Sequence, residues 1–318
     1  MATIVTVTPN PAIDRTYRVQ HLDLGNSHRV ETMHAQAGGK GINVARILTS
    51  FGFPVIAAAI VGGTNGDWIE HELSNSGVAG QFVTSGGDSR QTITAVTNGG
   101  DAWIEFDESG SEVDAGTWRD FLNLVSSLME PADVVVLSGS LPPGVPLDGY
   151  RELVEIAHNA QVRVVLDTSG LPLREALVAR PDVIKPNRFE LAAISEMSCD
   201  SVESVLAACR HLRVLGAQAI VATLGAEGIV VFGDESVWRV RHPQRSGNPV
   251  GAGDATTAGI AAGYFEGLEL MDAVRRGATW ALASMASPFA GHIEVSEVAA
   301  CATVIEVERL DSHEDHGQ

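Results

Sequence analysis

The consecutive segments "DVVVLSGSLPPG" (133–144), "YRELVEIAHNA" (150–160) and "VRVVLDTSG" (162–170) indicate the fold of this chain. The first and third begin as short apolar runs rich in β-branched residues, which is typical of strands buried on both faces. The middle segment has the spacing of an amphipathic helix. A strand, a helix and a strand in this order predict a parallel βαβ unit.

The same alternation extends over most of the 318 residues. Further apolar runs that end in polar or glycine-rich turns lie at 3–10, 55–67, 182–187 and 219–228. Helical patterns follow or separate them, as in "INVARILTSFG" (42–52) and "VESVLAACRHLRVLGA" (202–217). We therefore predict an α/β fold, in which helices cover both faces of a mostly parallel central sheet. Ligands of such sheets bind beyond the carboxyl ends of the strands.

Two segments, roughly 15–36 and 90–107, instead alternate polar and apolar residues, and the second folds about an Asn-Gly-Gly turn at 98–100. Strands with one apolar face lie outside a doubly covered sheet, and that face needs cover from the main domain or from another subunit. We predict a small β lid on a single domain (1–318), and a homodimer joined through the lid. The tail 311–318 has no apolar periodicity and is predicted to be disordered.

Composition excludes several classes of partner. The net charge of -19 argues against nucleic acid, because phosphate backbones need clustered Lys and Arg. The chain has no apolar run of the roughly 18 residues that a membrane helix requires and no signal-peptide pattern. Its three cysteines lack a CxxC spacing, which favours reduced, structural thiols. We expect a cytoplasmic protein that binds small molecules.

Lysine usage is unusual. The chain has 19 arginines but only two lysines, Lys40 in "GGKGIN" (38–43) and Lys185 in "VIKPNRFE" (183–190). Two residues of any kind can fall in such turns by chance. The alternative is that lysine is kept where a compact point charge is needed, as in phosphate binding. In so acidic a chain, an anionic ligand must be held by local positive charge.

Two glycine turns lead into predicted helices. "AQAGGKGINVAR" (35–46) fits neither a P-loop, which needs Ser or Thr after Gly-Lys, nor a dinucleotide fingerprint. In "GNPVGAGDATTAGIAAGY" (247–264), free N–H groups at a helix start would form an anion site next to Asp254. Asp254 there is either an N-cap or a general base for phosphoryl transfer, and this motif alone leaves both open.

Seven motifs resemble, in order, those of the ribokinase-like (PfkB) carbohydrate kinases. They are "TPNPAID" (8–14), "GGKGIN" (38–43), "SGSLPPG" (138–144), "DTSG" (167–170), "KPNRFE" (185–190), "TLGAEG" (223–228) and "VGAGD" (250–254). The first and third are similar in particular to the sugar-phosphate branch, which contains 1-phosphofructokinase, tagatose-6-phosphate kinase and a minor 6-phosphofructokinase. The resemblance implies a ribokinase-like three-layer sandwich that uses ATP and Mg²⁺.

The resemblance also implies roles for individual residues at the sugar. Asp14 would accept hydrogen bonds from sugar hydroxyls, Lys40 would add positive charge, and Arg90 would clamp the phosphate that the substrate already carries. Arg29 would assist, from this subunit or a neighbouring one. The complete set expected at the sugar phosphate is Asp14, Gly38, Gly39, Lys40, Asn43, Arg90, Ser140 and Arg29.

On the nucleotide side, the resemblance makes Asp254 the general base and the Gly251, Ala252 and Gly253 amides the anion hole. Residues expected at the nucleotide are Lys185, Asn187, Thr223, Gly225, Gly228, Gly253 and Ser284. Mg²⁺ is expected at Asn187 and Glu190, with Glu190 acting through water. A monovalent cation such as K⁺ is a further candidate cofactor, although "SMASPFAG" (284–291) departs from the polar-glycine turn that encloses it in the family.

We therefore expect an ATP-dependent kinase that converts a ketohexose phosphate to a bisphosphate. Fructose 1-phosphate is the favoured substrate, with tagatose 6-phosphate and fructose 6-phosphate as alternatives. The next alternatives are a kinase of an unphosphorylated sugar or nucleoside, which would have no use for both Arg90 and Lys40, and a non-catalytic sugar-phosphate sensor, which would not need Asp254.

Overall fold

The structure is a computed structural model that describes residues 3–98, 102–233, 236–245 and 247–310. Of the predicted Asn-Gly-Gly turn, only Asn98 lies within these ranges, and the predicted disordered tail 311–318 lies outside them.

Fourteen strands alternate with ten α-helices along these ranges. The strands are β1 (Thr3–Thr8), β2 (Ala12–Val19), β3 (Thr32–Gly38), β4 (Val55–Gly62), β5 (Ala79–Ser85), β6 (Arg90–Thr97), β7 (Trp103–Asp107), β8 (Ala132–Ser138), β9 (Arg163–Asp167), β10 (Val183–Ile184), β11 (Ile220–Thr223), β12 (Ile229–Phe232), β13 (Val237–Arg241) and β14 (Glu306–Leu310). The helices are α1 (Lys40–Ser50), α2 (Gly63–Asn75), α3 (Ala115–Met129), α4 (Gly149–Asn159), α5 (Gly170–Ala176), α6 (Arg188–Ser195), α7 (Val202–Leu215), α8 (Ala252–Phe265), α9 (Leu270–Ser284) and α10 (Val295–Ala302).

Ten strands form the central sheet, in the order β14-β13-β12-β11-β10-β9-β8-β1-β4-β5. The seven strands from β11 to β5 in that order run parallel, and β12, β13 and β14 are antiparallel. The buried βαβ unit predicted from 133–170 is present as β8, α4 and β9, with Val135 opposite Val164. The predicted mostly parallel sheet is therefore confirmed.

Helices cover both faces of this sheet, because its strands present apolar side chains alternately to two separate cores. On β1, Ile4 belongs to one core, which is completed by α1, α2, α8, α9 and α10. Val5 and Val7 belong to the other, which is completed by α3 to α7. The molecule is thus a three-layer sandwich, as expected.

Four strands form the predicted lid as a separate sheet, in the order β3-β2-β6-β7. Its register places Asp14 opposite Gln36 and Thr92, so these three side chains share one face. The opposite face includes Ala35, Ile93 and other apolar residues. The lid strands are shorter than the segments predicted for them, because residues 20–31 between β2 and β3 have no strand structure.

Two further observations bear on the composition. Among the described residues, no helix is long and apolar enough to span a membrane. Cys199, Cys209 and Cys301 are buried and unpaired in the described part of the chain.

Candidate active site

Two helices begin at the carboxyl edge of the central sheet, and each is preceded by a glycine with positive φ. Gly39 precedes α1 with φ +102°, and Gly251 precedes α8 with φ +85°. A Cβ at Gly251 would lie 2.9 Å from the Cα of Ala290, so a larger residue would also collide there. Because Gly251 occupies the N-cap position, Asp254 lies within the first turn of α8. The N-cap alternative for Asp254 is therefore wrong.

Asp254 has the environment of a general base. Its side chain is only 8% exposed, and its Oδ2 accepts a hydrogen bond of 2.8 Å from Asn43 Nδ2. Burial, with a contribution from the charge of Asp167, raises the pKa of Asp254 to about 6, although the Asn43 hydrogen bond and the nearby Lys40 act in the opposite direction. A carboxyl group with such a pKa is ionised at neutral pH and can accept a proton from a hydroxyl.

Asp14 lies on β2 against the first glycine turn. A Cβ at Gly38 would lie 1.9 Å from Asp14 Oδ2, so the carboxylate occupies the space that any other residue at 38 would need. Burial raises the pKa of Asp14 to about 7 against the opposing effect of Arg90, and the charge of Asp254 adds to the increase. Asp14 and Asp254 are thus electrostatically coupled, as expected of carboxylates that share one substrate.

Both lysines contact one residue that sequence analysis did not assign, Asp167 at the end of β9. Lys40 Nζ lies 3.0 Å from Asp167 Oδ1, and Lys185 Nζ lies 3.1 Å from Oδ2. Burial acts to raise the pKa of Asp167, but the two lysines hold it below its usual value. The pKa of Lys40 is raised, chiefly by Asp167. A signal was present in "DTSG", which puts an acid at the carboxyl end of a buried strand.

The expected magnesium residues form a helix cap. Asn187 precedes α6, and its side-chain oxygen accepts hydrogen bonds of 2.9 Å from the amides of Phe189 and Glu190. Glu190 Oε2 accepts a hydrogen bond of 2.7 Å from the Asn187 amide. The expectation of Asn187 as a metal ligand is therefore not supported, because its oxygen is already occupied. Both oxygens of Glu190 also have partners, since Oε1 lies 3.5 Å from Lys40 Nζ. Its carboxylate lines the cavity, and its contact with Mg²⁺ through water stays a prediction.

The other expected nucleotide residues lie beside this cap. Thr223, at the end of β11, forms an isolated bridge with Asn187. Gly225 begins a short 3-10 helix and Gly228 follows it, both with positive φ. A Cβ at Gly228 would lie 2.1 Å from the Val240 carbonyl oxygen, so this glycine is required for the turn itself. Gly253, the last residue of the expected anion hole, lies next to Lys185, whose Nζ is 3.4 Å from the position of a Cβ at Gly253.

A cavity of about 780 Å³ opens between the lid and the carboxyl edge of the central sheet. Gly39, Lys40, Arg90, Ser140 and Glu190 line it, together with Gly139 and Thr168. Arg90 Nε donates to the Asn10 carbonyl (3.2 Å), and Nη1 donates to Asp107 Oδ1 (3.3 Å), so the guanidinium group is held by the lid and its base. Asn10 also donates to the Ser140 hydroxyl at 3.1 Å.

Of the expected site residues, those that line this cavity are Gly39, Lys40, Arg90, Ser140 and Glu190. The others are not among its described lining residues, and these include Asp14, Asn43, Lys185 and Asp254 as well as Arg29 and Ser284. Arg29 is exposed in the 20–31 segment and is not among the described residues that line the cavity. Ser284 is buried at the end of α9, and its hydroxyl donates to the Ala281 carbonyl at 2.8 Å. The structure therefore does not support Ser284 as a cofactor contact, because its hydroxyl is used within its own helix.

The segment 284–291 is held by hydrogen bonds from protein donors. Asn248 donates its amide N–H to the Met285 carbonyl and its side-chain nitrogen to the Pro288 carbonyl, both at 3.1 Å. Gln36 Nε2 donates to the Ala290 carbonyl at 2.9 Å. These carbonyls do not fit the expectation of a K⁺ site on this segment. Gln36 was missed by sequence analysis, because its partner is 254 residues away along the chain.

The edge of this three-layer α/β sandwich has two helix starts preceded by glycine, a buried carboxylate and a pair of lysines. Together they define a phosphotransferase site. The sequence model of the pfkB family carbohydrate kinases matches residues 7–293. The chain therefore belongs to this family, whose members transfer phosphate from ATP to a sugar hydroxyl.

Solved structures of similar fold agree with this assignment. A protein from Thermotoga maritima, described as a possible 1-phosphofructokinase, is 25% identical with a TM-score of 0.90, covering 97% of this chain and 100% of its own. Phosphofructokinase-2 from Escherichia coli in complex with potassium is 25% identical with a TM-score of 0.89, covering 95% and 99%. The same enzyme in complex with fructose 6-phosphate gives 25% identity and a TM-score of 0.87, covering 95% and 99%.

Proposed function

We propose that this chain is an ATP-dependent kinase that phosphorylates a ketohexose phosphate to a bisphosphate. The observation that carries the proposal is Arg90 in the wall of the cavity, where Asn10 and the lid residue Asp107 hold its guanidinium group. In a chain of net charge -19, a cation fixed at the cavity is best explained by an acceptor that is itself an anion.

The chemistry follows from the arrangement of the side chains. Asp254 takes the proton from the acceptor hydroxyl, whose oxygen bonds to the γ-phosphorus while the bond from that phosphorus to ADP breaks. The amides of Gly251 and Gly253 stabilise the charge on the transferring group. The Ala252 amide, expected to act with them, instead donates to the Pro249 carbonyl at 3.2 Å. Asn43 holds Asp254 in place. Glu190 would hold Mg²⁺ through water, and the ion would supply further charge neutralisation for the nucleotide.

The names of the structural neighbours support an acceptor that carries a phosphate, since they include phosphofructokinase-2 and a possible 1-phosphofructokinase. We take fructose 1-phosphate as the leading acceptor, with fructose 6-phosphate and tagatose 6-phosphate as alternatives. Positional isomers of this kind differ by a few hydrogen bonds, so the choice among them is made by experiment.

The test is ADP release with ATP and Mg²⁺ across those three sugar phosphates, free fructose, ribose and adenosine. We expect turnover on one sugar phosphate, lost by roughly 10²–10⁴ in Asp254→Asn. Arg90→Met should raise KM for that acceptor. Arg15→Met is its matched control, because Arg15 lies on the opposite face of the lid and bonds Gln91.

Other outcomes would change the assignment. Activity confined to neutral acceptors would overturn the anionic-substrate proposal and leave the sugar kinase class intact. Binding of a sugar phosphate by folded protein, without ADP release on any acceptor, would favour the sensor.

We further propose that residues 1–318 act as one kinase domain in the cytoplasm and pair as a homodimer through the lid. The support for the dimer is the apolar lid face, where Met33 is 53% exposed and Phe106 is 61% exposed. Burial of large apolar side chains is what a subunit interface provides. Arg29 lies in the 20–31 segment, directly before lid strand β3. In such a dimer it would reach the site of the partner subunit across the interface.

A further inference from the structure

Asp167 connects the substrate turn to the nucleotide turn through the two lysines. Lys40 begins α1 directly after the first glycine turn, and Lys185 follows β10 at the start of the nucleotide segment. Their Nζ atoms approach different oxygens of one carboxylate, at 3.0 and 3.1 Å. Lys185 and Asp167 are almost fully buried, at 4% and 1% exposed, whereas Lys40 remains partly exposed in the cavity wall.

The group also includes a second carboxylate. Asp167 Oδ2 accepts a further hydrogen bond from the Thr257 hydroxyl at 3.2 Å, and Glu190 Oε1 lies 3.5 Å from Lys40 Nζ. A buried carboxylate with a cation on each oxygen orders both cations. Lys40 has only the longer contact with Glu190 besides Asp167, and it faces the cavity, so its ammonium group can still contact a bound anion.

The group lies at the anion hole and not at the lid. Lys185 Nζ is 3.4 Å from the position of a Cβ at Gly253, whose amide belongs to the proposed hole. Lys40 lies close enough to Asp254 to affect its pKa. Arg90, the other cation of the cavity, is instead bonded to Asn10 and the lid residue Asp107. The cavity therefore has two cationic positions that are held by different parts of the fold.

We propose that Asp167 is a positioning residue that holds Lys40 and Lys185 against the transferring phosphoryl group. Lys40 is thus a catalytic residue for phosphoryl transfer, and Arg90 alone binds the phosphate that the acceptor already carries. As the acceptor oxygen bonds to the γ-phosphorus and the bond to ADP breaks, Lys40 remains beside the oxygens of the transferring group. The proposal differs from the sequence-based expectation, which placed Lys40 at the sugar phosphate.

The experiment compares nucleotide affinities by calorimetry with Mg²⁺, using ADP and the non-hydrolysable analogue AMP-PNP, which differ by the terminal phosphoryl group. Lys40→Met should weaken AMP-PNP binding about ten- to a hundredfold, as expected for one charge-assisted hydrogen bond, and change ADP binding less than about threefold. Arg90→Met should leave both affinities unchanged. These readouts need no acceptor, so they are independent of the proposed substrate.

Equal losses for ADP and AMP-PNP in Lys40→Met, or no loss for either, would overturn the proposal. Asp167→Asn should lose AMP-PNP affinity in the same selective way, with Thr257→Val as its control because that change removes a hydrogen bond to Asp167 without altering charge. Asp167→Asn also removes the partner of a buried lysine and can fail to fold. Lys40→Met avoids this problem, because Asp167 keeps Lys185, and its result then decides alone.

Discussion

The hydrogen bond from Asn43 to Asp254 should lower the pH at which Asp254, the proposed base, becomes ionised. Asn43→Leu removes that bond with little change in volume. A hydrogen bond to a charged group is worth about 1.5–3 kcal/mol, and one pKa unit corresponds to about 1.4 kcal/mol. The bond favours the ionised form, so its loss should raise the pKa of Asp254 from about 6 by roughly one to two units.

The assay is the pH dependence of kcat/KM for the acceptor at saturating MgATP, which reports groups of the enzyme–MgATP complex. Because the base must be ionised, activity falls as pH falls through its pKa. The wild-type acid limb should lie at about 6 or, because the nucleotide is bound, somewhat above it. In Asn43→Leu it should lie near 7–8, with a loss of roughly two- to tenfold at pH 7 that recovers at high pH.

Thr256→Val is the matched control, since Thr256 is buried on the same helix and its hydroxyl donates to the Ala252 carbonyl at 2.9 Å. Its acid limb should stay at about 6. An equal loss at every pH in Asn43→Leu, with the limb unmoved, would show that Asn43 only orients Asp254. A wild-type limb near the ordinary aspartate pKa of about 4 would refute the argument from burial.

Three further outcomes are expected. Asp254→Asn should stabilise the protein, because burial raises the pKa of Asp254 from 3.8 to about 6 and ionisation therefore costs folding free energy. The increase in the free energy of unfolding, measured with urea, should be absent below pH 4 and reach about 3 kcal/mol above pH 6. Phe106→Glu should give monomers in light scattering, whereas Val214→Glu, at an exposed position of α7, should leave the dimer intact. Gln36→Leu frees the Ala290 carbonyl and should lower kcat roughly tenfold, whereas Ser284→Ala should not change it.

The parallel part of the sheet was predictable because its strands are buried on both faces and therefore read as apolar runs. Strands β13 and β14 were missed, since "VWRVR" and "EVERL" contain charged residues and only part of each strand is buried. They are the last two strands at one end of the sheet, and β14 is its edge. The lid was predictable from alternation, but its bounds were not, because the ends of β2 and β3 are set by pairing with each other. A local sequence pattern thus predicts which face of a strand is buried, but it predicts the ends of the strand less well, because these depend on pairing with another strand.

At the site, the sequence identified the glycine turns and could not decide among roles that depend on distant contacts. Asn187 and Glu190 are three residues apart, which is the spacing of a capping box as well as of the expected metal pair. Asp167 lies 127 residues from Lys40 along the chain, so their pairing has no local signal. The one indication of this pairing was general, because the carboxyl ends of parallel strands meet at the same edge of a sheet.

The lysine pair interacts electrostatically with Asp254, the proposed base. This interaction would favour nucleotide binding before proton transfer to Asp254. Lys40 and Lys185 both lower the pKa of Asp254, against burial and against Asp167. A nucleotide phosphate attracted to Lys40 offsets part of that positive charge, so we expect nucleotide binding to make Asp254 more basic. Asp254 would then accept the hydroxyl proton most readily when the phosphoryl donor is in place. When no nucleotide is bound, the same ammonium groups would keep the pKa of Asp254 lower and so make Asp254 a weaker base.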